Sequence, residues 1–464
     1  MVRALSLTVR VRYTVAGQLL LLLPLTAASA AELRETAGLR EGSHDSGSIC
    51  LLGDMYFRQA KFQKAEQCYR EAAGMDPENA RAHFGLGRIA RLQFQRKAAR
   101  EDFATAFRLD SRDPDILLAY SEYASDPQVR ATLLNTFLAV VEPEDPRIPD
   151  VLAKLQIDKA AGSRTLNRLA SPYRGYRLKM APFFPANSTP SGAVLKVSLN
   201  GSKSLRLVFD TGAKGVVVSD RSVRDLGLEF IVDSQIGGLG ASALKTARVA
   251  LADSLSIEDF RLENCLIEVT EQSIFPGVDG IIGADVFQEF LLRLDAWAQQ
   301  LELLPFPDHV PALENRPDPW LGYDAPLEAR RAAFTPAYRI GHLLAVHSAV
   351  DGKGDGLFVL DTGSAYNSVS PALLCNLRQT ASGISLRGAQ GTVRTMLAAS
   401  PVEFRLSGGP RLSDPNVIAL DLDAMSRKEG VKISGLLGYS AISRLALTID
   451  YRRGMVQFAP HQRR

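Results

Sequence analysis

The 464-residue chain has few of the residues that mark metal, redox or nucleophile chemistry, with only four cysteines and six histidines. It contains no Cys-x-x-Cys, no His-Glu-x-x-His, no glycine-rich phosphate loop ending in Gly-Lys and no Gly-x-Ser-x-Gly. These absences remove the sequence support for a metal centre, a redox dithiol, a phosphate-binding loop or Ser-His catalysis. We therefore predict no metal and no cofactor. The histidines are scattered along the chain: His44, His83, His309, His342, His347 and His461.

The cysteines are too few for a disulfide scaffold, even in an oxidising compartment. Cys50 and Cys68 fall in one predicted helical hairpin, where two interpretations stay open. Either they pair as a disulfide, or they are two small buried side chains. The burial habits of free cysteine favour the second.

After residue 30 the sequence has no apolar stretch long enough for a transmembrane helix. Residues 1–30 combine three arginines, the apolar core Leu19 to Leu25 and the small residues Ala28-Ser29-Ala30. This order is typical of a secretory signal peptide, because the apolar core is too short to span a bilayer. We expect cleavage after this segment and export to the periplasm or outside the cell. An uncleaved membrane anchor is the alternative.

The charge balance gives no reason to expect a polyanionic partner. The chain carries 54 Lys and Arg against 51 Asp and Glu, and three of the arginines lie in residues 1–30. The mature balance is therefore 54 − 3 − 51 = 0. We predict no binding to nucleic acid and no integral membrane segment after signal cleavage.

Residues 48–146 carry apolar residues at helical spacing and a repeat of small and aromatic residues with a period of 34. Gly53, Tyr56, Ala65, Tyr69 and Ala72 are matched by Gly87, Ala90, Ala99, Phe103 and Ala106. The pattern resembles tetratricopeptide repeats, in which small residues let stacked helices approach closely. A degenerate third copy is expected from Asp115 to Pro146, followed by a helical linker over 147–178. The repeats either bind a partner protein on a concave surface or act as a spacer for the domains that follow.

Beyond this region the sequence changes to short β-branched runs punctuated by glycine, which predicts two β domains. We place the first lobe at 179–307 and the second at 335–460. The Pro-rich stretch at 308–334 separates them as an inter-lobe linker.

One motif occurs in both lobes. An apolar run leads to Asp210-Thr211-Gly212 in the first lobe and to Asp361-Thr362-Gly363 in the second, at a spacing of 361 − 210 = 151. Gly280-Ile281-Ile282-Gly283 is likewise answered 155 residues later by Gly435-Leu436-Leu437-Gly438. The second lobe therefore duplicates the first, although Ala213 faces Ser364 and Asp285 faces Ser440 in the alignment of the two copies.

Two Asp-Thr-Gly segments, each with a downstream Gly-x-x-Gly, resemble the aspartic peptidases, and the short lobes are most similar to the retropepsin-like branch. The resemblance covers Tyr176 to Pro460 and implies an N-terminal helical repeat followed by two mostly-β lobes. It implies that Asp210 and Asp361 are catalytic and that Thr211, Gly212, Thr362 and Gly363 support their loops. It also implies flaps over the site, with the candidates Gly238, Leu239, Gly240, Gly388 and Gly391.

Two carboxylates held within hydrogen-bonding distance cannot both ionise, so one activates water while the other protonates a peptide carbonyl. The resemblance therefore implies an aspartic endopeptidase that acts on a protein or peptide substrate, and the signal segment implies its export. The inter-lobe linker of about 30 residues predicts that the site forms within one chain, because it holds the second lobe at a high effective concentration. The alternative is a non-catalytic scaffold that binds a partner protein through the repeats and the β pair. Asp295 and Asp450 are interpreted as strand-to-turn residues.

Overall fold

The computed structural model describes residues 45–184, 190–236, 245–271, 275–306, 334–352, 355–374, 377–378, 384–388, 391–406 and 410–460. In these ranges no helix is long and apolar enough to cross a membrane. The signal segment predicted at 1–30 and most of the linker predicted at 308–334 lie outside the described residues.

The N-terminal part of the described chain is a stack of antiparallel helices. Asp45, Asn79 and Asp113 cap the first helix of each pair by accepting hydrogen bonds from backbone N–H groups in the first turn, at 3.0, 3.1 and 2.9 Å. These caps satisfy donors that would otherwise lack a partner at a helix start. The helices are α1 (Ser46–Arg58), α2 (Phe62–Met75), α3 (Ala80–Leu92), α4 (Arg96–Leu109), α5 (Pro114–Ser121), α6 (Pro127–Val140) and α7 (Ile148–Ala161).

The small residues of the 34-residue repeat lie where the helices cross. A Cβ on Gly53 would lie 2.7 Å from the ring of Tyr69, and a Cβ on Gly87 would lie 2.7 Å from the ring of Phe103. The repeat is therefore a packing pattern, in which glycine on one helix makes room for an aromatic ring from the next. Cys50 and Cys68 lie buried in this stack without forming a disulfide, and burial raises the pKa of the Cys50 thiol to about 11.

The first long strand of the first β lobe begins at Tyr176, inside the region predicted as linker. This strand belongs to the lobe because it pairs with the last strand, Leu301 opposite Leu178. The elements are β1 (Arg168–Leu169), β2 (Tyr176–Phe183), β3 (Gly192–Leu199), β4 (Leu205–Asp210), β5 (Val216–Ser219), α8 (Asp220–Val223), β6 (Glu229–Ile236), β7 (Lys245–Ile257), β8 (Phe260–Thr270), β9 (Gly280–Gly283), a 3-10 turn (Ala284–Phe287), β10 (Leu291–Asp295) and β11 (Gln300–Leu304).

The second lobe has a similar order of elements. Its elements are β12 (Thr335–Pro336), β13 (Tyr338–Ile340), β14 (Leu343–Val350), β15 (Asp355–Leu360), β16 (Ser368–Val369), a 3-10 turn (Pro371–Leu373), β17 (Leu377–Arg378), β18 (Ile384–Gly388), β19 (Gly391–Ala398), β20 (Val402–Leu406), β21 (Arg411–Asp414), β22 (Ile418–Ala419), α9 (Asp423–Glu429), β23 (Gly435–Leu437), α10 (Tyr439–Ile442), β24 (Leu445–Asp450) and β25 (Met455–Pro460).

The duplication is visible in the strand pairing. In the first lobe β9 runs parallel to β4 and antiparallel to β5. In the second lobe β23 runs parallel to β15 and antiparallel to β16. Each Asp-Thr-Gly strand is thus flanked by the strand of its own Gly-x-x-Gly segment.

The two lobes also share a sheet. Strands β10 and β24, which are equivalent in the two copies, pair antiparallel with Leu294 opposite Leu447. Buried side chains of both lobes, Phe209 and Phe358 among them, belong to one continuous hydrophobic core. The shared sheet and core fix the position of the two Asp-Thr-Gly loops relative to each other.

The helical stack packs against both lobes. On the second lobe, the Lys432 N–H donates to the carbonyl of Arg58 at 2.7 Å, and the rings of Phe62 and Tyr338 lie 4.9 Å apart. On the first lobe, α7 packs against β6, and Arg164 pairs with Glu229 at 3.6 Å. The repeats are therefore built into the β region.

Candidate active site

The two aspartates of the repeated motif meet at the lobe boundary. Asp210 ends β4 opposite Gly283, and Asp361 follows β15 with its N–H donating to the carbonyl of Leu437 at 3.0 Å. Each buried parallel strand delivers its carboxyl group to the same edge. The Gly363 N–H lies within hydrogen-bonding distance of both side chains, 3.2 Å from Oδ1 of Asp210 and 3.1 Å from Oδ1 of Asp361, so the two carboxyl groups lie side by side.

Thr211 and Thr362 tie the two loops together across the boundary. The Thr211 N–H donates to the Thr362 hydroxyl at 3.0 Å, and the Thr362 N–H donates to the Thr211 hydroxyl at 3.0 Å. Each hydroxyl then donates into the opposite strand, Thr211 to the carbonyl of Leu360 at 2.8 Å and Thr362 to the carbonyl of Phe209 at 2.9 Å. Both threonines are buried, so these four bonds are shielded from water.

Backbone N–H groups point at both carboxylates. Oδ1 of Asp210 accepts from Gly212 at 2.7 Å and from Gly363 at 3.2 Å. Oδ1 of Asp361 accepts from Gly363 at 3.1 Å and from Ser364 at 3.0 Å. The Gly363 N–H thus lies between the two carboxyl groups, which fixes their orientation.

The two glycines of the motif differ in how much space there would be for a side chain. A Cβ on Gly363 would lie 2.8 Å from Oδ1 of Asp210 and nearer still to its Oδ2. A Cβ on Gly212 would lie 3.0 Å from Oδ1 of Asp361. Glycine is required at 363 because a side chain there would displace the facing carboxylate.

Burial raises the pKa of both carboxyl groups, and for Asp361 the repulsion from its partner adds to this effect. Burial raises the pKa of Asp210, against the lowering effect of its backbone hydrogen bonds. The pKa of Asp361 is raised well above its ordinary value by burial and then by the charge on Asp210. The two carboxyl groups therefore share one proton over a range of pH, and the two titration steps belong to the pair.

The loops are supported differently in the two lobes. In the first, the Gly215 N–H donates to Oδ1 of Asp285 at 2.9 Å. In the second, Asn367 donates through its side-chain amide to Asp414 at 2.6 Å and accepts from the Gly438 N–H at 2.8 Å. Ser440, which stands where the first lobe has Asp285, also donates to Asp414, at 3.1 Å. The divergence of Asp285 and Ser440 is thus a change of hydrogen-bond partner behind the same loop.

The comparison with protein families agrees with this geometry. The family model described as aspartyl protease matches residues 195–286 and 346–441, one segment in each lobe, and each segment contains one Asp-Thr-Gly. The two β lobes match the aspartyl protease family. The tetratricopeptide repeat model matches residues 46–79, which are α1 and α2. The fold predicted from the sequence, helical repeats followed by two mostly-β protease lobes, is confirmed.

No curated protein sequence matches the chain. Among solved structures, the aspartic proteinase from Irpex lacteus is similar at 10% identity and a TM-score of 0.40, over 62% of this chain and 98% of that one. The family match and the geometry of the two loops carry the assignment.

The flap candidates of the protease lobes divide between described and undescribed residues. Gly388 and Gly391 pair with each other where β18 and β19 form an antiparallel hairpin, which is the arrangement a flap needs. Gly238, Leu239 and Gly240 lie outside the described residues. Their flanking strands β6 and β7 pair antiparallel up to Ile236 and Lys245, so the first lobe has the two arms of the same hairpin.

Asp295 and Asp450 take no part in the site. The side chain of Asp295 accepts from the Ala298 N–H at 2.9 Å, and that of Asp450 accepts from the Arg452 N–H at 3.0 Å. Both stabilise turns at strand ends, as predicted. Within the described residues, no cluster of three or more His, Cys, Asp and Glu side chains is arranged to hold a metal ion.

His342 is a site residue that the motifs did not indicate. It lies in the turn between β13 and β14 of the second lobe, and its Nε2 lies 3.2 Å from the carbonyl oxygen of Gly212 in the first. A carbonyl only accepts, so Nε2 carries the proton. Burial lowers the pKa of His342 to about 4. The ring is therefore neutral at mildly acid pH and still donates to the Asp-Thr-Gly loop of the other lobe.

Replacing Thr211 with Val should lower the free energy of unfolding by about 2 to 4 kcal/mol, because two buried backbone groups lose their partner. Those groups are the N–H of Thr362 and the carbonyl of Leu360. Thr211→Ser keeps the hydroxyl and should cost only about 1 kcal/mol for the lost methyl group. Urea unfolding of both variants measures the difference. Equal losses for Val and Ser would show that the hydroxyl network does not hold the lobes together.

Proposed function

We propose that the protein is an exported aspartic endopeptidase that hydrolyses peptide bonds with water activated by Asp210 and Asp361. One observation supports this above the others: the carboxyl groups of two duplicated loops, Asp210 buried and Asp361 partly buried, lie side by side on the N–H of Gly363. The alternative role of Asp210 and Asp361, as residues that only order their own loops, does not require two carboxyl groups to face each other at a cost in repulsion.

In the proposed reaction a water molecule lies between the two carboxyl groups. Asp210 accepts a proton from this water as its oxygen attacks the peptide carbonyl carbon, and Asp361 donates its proton to the carbonyl oxygen. The resulting tetrahedral diol collapses when Asp210 passes its proton to the amide nitrogen and Asp361 takes back a hydroxyl proton. The C–N bond breaks, and the products are a carboxylic acid and an amine.

The N–H groups around the pair hold both carboxyl groups in place. Asp210 accepts from Gly212 and Gly363, and Asp361 accepts from Gly363 and Ser364. The substrate we propose is a protein or peptide held under the hairpins β6–β7 and β18–β19. Export follows from the signal segment expected at residues 1–30.

The test is cleavage of an unstructured protein by the purified mature chain. We expect a bell-shaped dependence of activity on pH, because catalysis needs one proton on the pair. Lowering the pH protonates the base, and raising it removes the proton from Asp361. Since the pKa of Asp361 is raised, the alkaline limb should lie above the ordinary carboxyl range.

A chelator should leave the activity unchanged. Activity that rises to a plateau in alkali, or that disappears with chelator, would indicate different chemistry. No cleavage at any pH would leave the non-catalytic scaffold as the better account.

A further inference from the structure

A large groove lies between the helical repeats and the second protease lobe, away from the two aspartates. Its volume is about 1360 Å³. One wall is formed by the first helices of the three pairs, α1, α3 and α5, and the other by α9 with the segment that follows it. The groove is therefore a composite of both domains.

The floor of the groove offers apolar contacts. Leu51 of α1 lies there with 53% of its surface exposed, which is high for a leucine in a folded domain. Phe84 of α3 and Leu118 of α5 continue the apolar surface. A ligand that fits this floor carries apolar side chains.

Most of the arginines on the repeat wall already have acidic partners. Arg88 pairs with Asp54 at 3.0 Å, and Arg91 pairs with Glu122 at 3.2 Å. Asp115 accepts from two more, Arg81 at 3.1 Å and Arg147 at 2.7 Å. These pairs leave little charge available to a ligand at this end.

The end of the groove beside α9 is different. Arg58, Arg427 and Lys432 all line it and are exposed. Within the ranges that the structure describes, none of the three has a carboxylate within ion-pair distance. The hydrogen bond from the Lys432 N–H to the Arg58 carbonyl, at 2.7 Å, places Arg58 and Lys432 side by side where the helical repeats meet the second lobe. Positive charge without an internal partner is thus concentrated next to an apolar floor.

We propose that this groove binds an extended acidic segment of the protein substrate, outside the catalytic cleft. Carboxylates of the segment pair with Arg58, Arg427 and Lys432, and its apolar side chains lie on the floor. A polyanion such as a nucleic acid fits less well, because five acidic side chains also line the groove: Asp45, Asp54, Asp115, Glu122 and Asp423. The identity of the ligand as substrate depends on the proposed peptidase function, whereas its binding does not.

Binding is measured with the Asp210→Asn chain, so that cleavage does not interfere. The probe is a short fluorescein-labelled peptide of glutamate, glycine and leucine, compared with the same peptide carrying glutamine for glutamate. We expect the glutamate peptide to bind more tightly and to lose affinity as salt rises. Equal affinity for the two peptides would overturn the proposal, as would tighter binding of a single-stranded oligonucleotide.

The variant Arg58→Glu with Lys432→Glu should weaken binding of the glutamate peptide by about tenfold or more, because attraction at two positions becomes repulsion. The matched control is Lys97→Glu with Arg100→Glu on α4, which makes the same change in net charge at exposed residues outside the groove. If the control weakened binding of the glutamate peptide equally, net charge alone would explain the effect, and the proposal would be overturned. Thermal melts of both variants confirm that the fold is kept.

The consequence for catalysis is tested separately with the active chain. A substrate that carries an acidic segment beside the cleaved region should show a higher KM in the groove variant, with kcat unchanged. Peptide binding without cleavage of any substrate would leave the groove proposal standing and remove the peptidase proposal. Cleavage with no dependence of KM on the acidic segment would show that the groove does not serve the substrate.

Discussion

Replacing either Asp210 or Asp361 with Asn should lower kcat/KM by about 10²- to 10⁴-fold, the usual contribution of a positioned acid or base. Asn has nearly the same shape, so the hydrogen bonds from Gly212 and Gly363 have an oxygen to reach. The amide side chain of Asn cannot take up or release a proton at acid or neutral pH. The two losses should be similar in size, because each residue supplies one half of the same proton transfer.

The stability of these variants separates lost chemistry from lost structure. A carboxyl group with a raised pKa in the folded state holds its proton more tightly there than in the unfolded state. Its contribution to stability is greatest at low pH and falls as pH rises from the unfolded pKa to the folded one. Asp361 has such a raised pKa. Asp361→Asn should therefore melt at neutral pH no lower than the unchanged chain, while cleavage is lost.

Asp253→Asn is the matched control, since Asp253 is exposed on β7 of the first lobe. It should keep full activity. Mixing the Asp210→Asn and Asp361→Asn chains should restore nothing, because the lobes share a sheet through β10 and β24 within one chain. Recovery on mixing would show that lobes from different chains assemble the site. Unchanged cleavage in both single variants would remove the dyad from the mechanism.

Gly363→Ala should reduce activity by about 10²-fold or more, because a Cβ there cannot coexist with the Asp210 carboxylate. Moving a reacting group by about 1 Å is enough for a loss of that size. The pseudo-symmetric change Gly212→Ala is the control, since its Cβ would lie 3.0 Å from Asp361 Oδ1 and needs a shift of only a few tenths of an ångström. It should lose less than about tenfold, as tight contacts relax at modest cost.

The comparison is made by kcat/KM for one substrate, with circular dichroism to confirm that both chains are folded. Two copies of one motif should thus respond unequally to the same substitution. Equal losses would contradict the placement of the Gly363 backbone between the two carboxyl groups.

The core of the site was predictable because its determinants are local and repeated. Asp210-Thr211-Gly212 and Asp361-Thr362-Gly363 each follow a buried strand, and both Gly-x-x-Gly segments lie beside them as the repeat implied. The packing of Gly53 against Tyr69 also followed from the repeat, because stacked helices meet at the same positions in each pair. In a duplicated sequence, the residues that recur mark equivalent positions in the two copies.

The residues that the sequence did not indicate act across long separations without a repeated partner. His342 reaches Gly212 from the other lobe, 130 residues away. Asn367 and Asp414 support the second loop where the first lobe uses Asp285, so no pattern common to both copies marks them. The boundary predicted at residue 179 missed the start of β2 because its pairing with β11 is not a local property.

The sequence by itself determined which residues form the two half-sites, since apolar runs, turns and glycines act over a few neighbouring positions. The tertiary structure alone decided how the halves face each other, through the sheet that joins β10 to β24 and the bonds between Thr211 and Thr362. It also decided that the repeats border a groove with the second lobe at Arg58 and Lys432. The physical reason is that packing between distant segments depends on the shapes of whole domains, which no single stretch of sequence contains.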